Sequence, residues 1–313
     1  MKRFLRWLTA SLGYLLYTTL VLALLFWLLL PGDSIRDWLE NRLNAASPDL
    51  RWEIGKLAAA LPPALVASKI TVREEGEAGL ELLQVAELRL MPDLRALLTV
   101  DRAIPFRYRV RMLDGTIEGK GVLPEDRGRL RLAGEAADLQ LKNLTEFWNM
   151  VGRTASGILS GSFQFEGAWQ RPAQGLLEAE LRVADGNVSL QQPVFGLDQL
   201  AFGLLTGSLE LREGVLTLAE GRLDSGLLAG EFGGSVVLRT PLVMSTLAVE
   251  GALEPRPELL SSLRDKATVT LIRNQLSDNK LSFVLNGSLL EPGIQFRGTA
   301  GIIDGIITGG EAR

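Results

Sequence analysis

The chain has 313 residues, 47% of them apolar and 22% charged, with a net charge of −4, a globular rather than disordered composition. It contains neither cysteine nor histidine, which excludes disulfides, zinc sites built on Cys or His, Ser-His-Asp and Cys-His catalytic sets, and a histidine proton switch. Lys2, Arg3 and Arg6 put +3 on the first six residues and leave −7 on the remainder, an acidic body without the basic footprint of a nucleic-acid binder.

Residues 1–6 form a basic tail, and the next 24 residues, Trp7 to Leu30, carry no charge. As a helix this run is about 36 Å long, enough to cross a hydrocarbon core of about 30 Å. Trp7 and Trp27 sit near its ends, where indoles favour the membrane interface. Leu8, Tyr14, Leu20, Phe26 and Leu30 fall within the span. A signal peptide would have an apolar stretch of only about 7–15 residues and a small-residue cleavage site, whereas this run is longer and ends in FWLLLPGDS. The expectation is an uncleaved single-pass anchor with its N-terminus in the cytoplasm. In a Gram-negative bacterium that membrane is the inner one, and the body is periplasmic.

Residues 31–49 read as a juxtamembrane amphipathic segment. Pro31 breaks the span, Ser34 is a candidate N-cap, and Ile35, Trp38, Leu39 and Leu43 recur at helical spacing. The helix is either a stalk at the membrane surface or a first helix packed on the body.

From residue 50 onward the period changes to two. Phe106, Tyr108, Val110 and Met112 alternate with Arg107, Arg109 and Arg111; Leu177, Ala179, Leu181 and Val183 alternate with Glu178, Glu180 and Arg182. The pattern recurs at Leu130 and Leu132, at Phe163 and Phe165, and at Ile294, Phe296 and Ala300. Phe283 and Leu285 join the same apolar set. Such alternation marks strands with one apolar and one wet face. Asp114-Gly115, Asp185-Gly186, Glu213-Gly214, Gly233-Gly234 and Asp304-Gly305 read as turns between strands. Helices are expected near 143–152, through Leu144, Phe147, Trp148 and Val151, and over 257–265, with Pro257 in the first turn and Leu259, Leu260 and Leu263 facing inward. Residues 93–99 read as one or two helical turns. Residues 50–313 are thus one mainly β unit, an elongated, curved antiparallel meander with a few short helices and no fixed repeat period.

Catalytic motifs are missing. GTIEGKG has neither the spacing nor the Ser/Thr of a phosphate-binding loop, and Glu74, Glu75 and Glu77 in REEGEAG read as a solvated loop. No catalytic residue, metal ligand or cofactor site is named. Two features carry function instead. Arg107, Arg109 and Arg111 form a stripe suited to anionic lipid or an acidic partner, or simply a strand's solvent face. The apolar residues Phe106, Tyr108, Val110, Phe163, Phe165, Leu181, Val183, Phe283, Leu285 and Phe296 line either a packed core or a lipid-holding groove.

The opening MKRFLRWLTASLGYLLY, the passage LLLPGDSIRDWLENRL, the Gly-punctuated stretch from Glu210 to Leu253 and the tail LSFVLNGSLLEPGIQF together resemble the type II secretion system protein N family, in the form found in deltaproteobacteria and spirochaetes. The middle of the chain also resembles AsmA-type envelope proteins. The first resemblance implies a non-enzymatic inner-membrane accessory subunit that contacts other type II secretion components through a periplasmic β-domain. The second implies an AsmA-like groove or flattened half-barrel that holds or moves phospholipid, stacked on a partner because the chain is short for a complete bridge.

Overall fold

In the computed structural model the described residues are 31–47, 50–74, 81–93, 96, 103–124, 129–168, 172–194, 197–240, 242–262 and 279–296, plus Tyr14, Tyr17, Thr18, Val21 and Leu25. Those five isolated positions are helical; the rest of the expected span, with Ala300 and Asp304-Gly305, lies outside the described residues. Among the described residues no helix is long and apolar enough to cross a membrane.

One helix, α1 (Gly32–Ala46), is followed by β1 (Leu50–Ala60), β2 (Ala64–Glu74), β3 (Glu81–Pro92), β4 (Ala103–Met112), β5 (Gly115–Pro124) and β6 (Leu130–Gln140). A 3-10 turn at Leu141–Asn143 leads into the short α2 (Thr145–Met150). The sheet resumes with β7 (Ala155–Gly167), β8 (Leu176–Val194), β9 (Leu197–Arg212), β10 (Val215–Asp224), β11 (Leu228–Val237) and β12 (Thr246–Pro255); then come α3 (Pro257–Ser262), β13 (Leu281–Ser288) and β14 (Pro292–Phe296). All fourteen strands form one open antiparallel sheet in sequence order, the expected meander. Strand spacing of about 4.8 Å makes it roughly 62 Å from β1 to β14. The helices near 143–152 and 257–265 are present as α2 and α3, with Leu259 fully buried and Leu263 outside the described residues.

Turns and bulges divide what the sequence presents as one signal. Hairpins do close at Leu113–Asp114, with φ of 50° and 59°, and at Glu213–Gly214, with φ of 50° and 81°. Positive φ at both central residues is what the strand twist demands of a two-residue hairpin; at the first of these the turn lies one residue earlier than Asp114-Gly115. Asp185-Gly186 is not a turn. It sits inside β8, where Asp185 at φ 50° makes a bulge and the strand continues. Gly233-Gly234 likewise lies inside β11, paired with Glu250 and Val249. A bulge inserts one residue and shifts the alternation by one. The apolar residues therefore move from odd positions (Leu181, Val183) to even ones (Gly186, Val188) without leaving their face.

The N-terminal edge is sealed. Helix α1 begins at Gly32, preceded by Pro31 and without a side-chain cap, so Ser34 is not the N-cap. The helix runs antiparallel to β1 along its free edge: Glu40 accepts from the Ile54 N–H at 2.5 Å, and Asn44 both accepts from the Trp52 N–H (2.7 Å) and donates to the Trp52 carbonyl (3.3 Å). These contacts occupy groups that would otherwise template another strand. Ile35, Leu39 and Leu43 pack on a core of Ile54, Leu57, Ala67, Ile70 and Val85. The packed-helix alternative holds, and Trp38 is 65% exposed rather than part of that face.

Candidate functional site

Cross-strand partners in a sheet project to the same side, so the register settles which residues share a face. Phe106 pairs with Gly121, which pairs with Leu132, and the row continues through Phe165, Leu177, Leu211, Leu216, Val236 and Leu247. A second row runs Tyr108, Gly119, Gly134, Phe163, Ala179, Leu209, Leu218, Gly234, Val249, Leu285 and Ile294. Val110 and Leu181 belong to a third row, Val183 to a fourth, and Phe283 pairs with Phe296. All ten predicted apolar residues thus lie on one face, which carries no charge along these rows.

Cover on this face is uneven. Under α1 it is a closed core. A second buried cluster gathers Val183, Phe202, Leu223 and Leu228 with Phe232 and Leu141 packed against it, and a third gathers Leu281, Phe283 and Phe296. Sequence reading missed Phe202, Leu223 and Phe232, which lie near bulges where the alternation shifts phase. Val110 packs against the first of these cores; between the clusters Leu132, Phe163, Phe165, Leu177, Leu181, Leu209 and Leu218 are half-buried. No second sheet lies over them, since all described strands belong to one.

Aromatic rings fill part of that surface by lying over glycines of the neighbouring strands. A Cβ on Gly119 or on Gly134 would fall 2.5 Å from the Tyr108 hydroxyl oxygen, and one on Gly186 would fall 2.1 Å from the Phe202 ring. Tyr108 donates to the Ala133 carbonyl at 3.2 Å, and burial pushes its pKa up to about 12. Burial thus keeps the Tyr108 phenol neutral near pH 7.

The opposite face is polar and charge-segregated. Arg107 pairs in register with Lys120, Arg109 with Glu118, and Arg111 with Thr116. Arg109 reaches Glu118 at 2.7 Å and Arg111 reaches Glu87 at 3.9 Å; among the described residues Arg107 has no carboxylate partner. Farther along, Glu118 lies opposite Glu135 and Glu178 opposite Glu210, like-charge pairs that disfavour each other. An open hollow of about 960 Å³ lies here, lined by residues including Arg107, Lys120, Glu135, Ser162, Glu178 and Glu210. Among the described residues no cluster of Asp and Glu is arranged to hold a metal ion.

No protein-family model, curated protein or solved structure matches this chain.

Proposed function

We propose that this is a non-enzymatic, membrane-anchored envelope protein whose uncharged sheet face holds acyl chains of phospholipid. The observation that carries the reading is the half-buried middle of the apolar face, from Leu132 to Leu218, over which no second sheet packs among the described residues. Removing that surface from water is favourable by about 25 cal/mol per Å², and lipid tails offer a cover that matches its length. The four strand spacings from β6 to β10 span about 19 Å, comparable to the half-thickness of about 15 Å of a hydrocarbon core. In this reading the uncharged run at 7–30 is the anchor, the sheet curves into an AsmA-like trough, and the body is periplasmic. The test is lipid extraction and mass spectrometry on the full chain purified from a bacterial envelope. Phospholipid at defined stoichiometry is expected, reduced in Leu181→Glu with the far-ultraviolet spectrum unchanged. Wild-type protein without bound lipid overturns the reading.

A second reading is an accessory subunit of type II secretion working through partner contacts. It is favoured by the polar face, where Arg107 faces the hollow without a carboxylate partner among the described residues and the like-charged cross-strand pairs suit a charged protein surface. A deletion strain separates the two. Loss of a defined set of secreted proteins with an intact envelope supports secretion, whereas normal secretion from a leaky envelope supports lipid handling.

A further inference from the structure

The two rims of the sheet differ in chemistry. Outside the N-terminal segment and Trp38, the large apolar side chains exposed among the described residues are Leu61, Ile104, Leu123, Val215, Val237 and Met244. Consecutive strands run in opposite directions, so every loop belongs to one of two rims. Leu61 lies in the β1–β2 turn, Ile104 at the start of β4, Leu123 near the end of β5, Val215 at the start of β10, Val237 at the end of β11 and Met244 in the β11–β12 connection. All six are on the same rim. The other rim, with the Leu113–Asp114 turn, α2 and α3, has none among the described residues.

The polarity of α1 shows where that rim points. Asn44 lies beside Trp52 and Glu40 beside Ile54, while a Cβ on Gly32 would meet the Leu57 carbonyl oxygen at 2.2 Å. The start of α1 therefore faces the β1–β2 turn, and the chain reaches that start from residue 30. The strand runs on for four residues from Leu57 to Leu61, about 13 Å at 3.3 Å per residue. Throughout residues 57–67, LAAALPPALVA, there is no charge. Leu61, Pro62 and Pro63 are all exposed at its centre.

We infer that the β1–β2 turn seats in the surface of the bilayer, making this rim the end at which the apolar face meets lipid. The inference rests on the reading of residues 7–30 as a membrane anchor. If the chain leaves the bilayer near Pro31, a turn projecting about 13 Å past Gly32 reaches the headgroup and acyl boundary, where apolar elements bury themselves by about 5–10 Å. Leu61, with its proline neighbours, brings apolar area to that boundary at no cost in buried charge. Neighbouring strands twist by about 20–25°, so contact falls off along the rim from Leu61 through Ile104, and Val237 is carried away from the bilayer plane.

A chain without cysteine allows single spin labels to test this directly. The full chain is reconstituted in vesicles of phosphatidylethanolamine and phosphatidylglycerol as Leu20→Cys, Leu61→Cys, Ile104→Cys, Val237→Cys or Thr145→Cys. Accessibility to oxygen is then compared with accessibility to an aqueous nickel chelate. The expected order of oxygen preference is Leu20 first, then Leu61, then Ile104, with Val237 and the opposite-rim Thr145 behaving as in water. A Leu61 label as open to nickel as Thr145, with Leu20 still deep, overturns the rim contact and leaves the anchor standing. A Leu20 label open to nickel overturns the anchor and the rim contact together. The labelled rim and Thr145 side chains are exposed, so circular dichroism matching the unsubstituted chain is expected for each.

Discussion

The N-terminal strands and the middle of the sheet share the same alternating pattern and end up in different physical states. In β1–β3, Ile54, Leu57, Ala67, Ile70 and Val85 are closed off by a helix that also occupies the strand edge. From β5 to β10 equivalent residues such as Leu132 and Leu209 stay half-buried, and rings folded over glycine lanes provide the cover. Alternation assigns a residue to a face; the element lying over that face decides whether it becomes core.

The widest expected gap between the two regions is in core truncation. Leu57→Ala should lose about 2–5 kcal/mol of unfolding free energy, the range for a fully buried Leu. Leu132→Ala, at a partly buried position, should lose less, about 1 kcal/mol. Denaturant titration of both variants measures the difference, and equal losses would show the middle to be as sealed as the edge. A smaller effect tests the ring-over-glycine packing. Gly186→Ala should cost about 1–3 kcal/mol through overpacking, because the three atoms nearest its Cβ would all belong to the Phe202 ring. In a Phe202→Ala background most of that cost should vanish, and a strictly additive double-mutant cycle would show that the ring is not the obstacle.

Tyr108 supplies a pH test in the same region. Its phenol ionises near 10 when unfolded and at about 12 when folded, because burial disfavours the anion. The folded state binds the proton more tightly, so this contribution is fully present below pH 10 and is lost as pH rises toward about 12. Tyr108→Phe should flatten the alkaline limb of the stability profile, read alongside tyrosinate absorbance. The smallest effect is expected on the polar face. Changing Arg107, Arg109 and Arg111 together to Ser should leave the fold intact, because each exposed ion pair it breaks contributes about 0–1 kcal/mol. The unfolding midpoint measures this; a large loss would mean that the stripe holds the sheet together rather than facing a partner.

Legibility followed the range of the interaction concerned. The strands through Phe106–Met112 and Leu177–Val183, and the helices at 145–150 and 257–262, were readable because period and capping are local properties. Asp185-Gly186 and Gly233-Gly234 were misread because positive φ or paired glycines serve a bulge or strand interior as well as a hairpin. Only the residues on neighbouring strands distinguish these cases. Phe202 and Phe232 escaped notice for the same reason, since their burial depends on glycines in other strands.

The sequence by itself determined the mainly antiparallel β class, the meander order and the separation of apolar from charged faces. Each follows from a period of two and short turns. The tertiary structure decided that the sheet stays open, that Glu40 and Asn44 close its first edge, and that the large apolar side chains exposed among the described residues of the sheet and its loops collect on one rim. Those features depend on strand register and direction summed over fourteen strands, which no window of sequence contains.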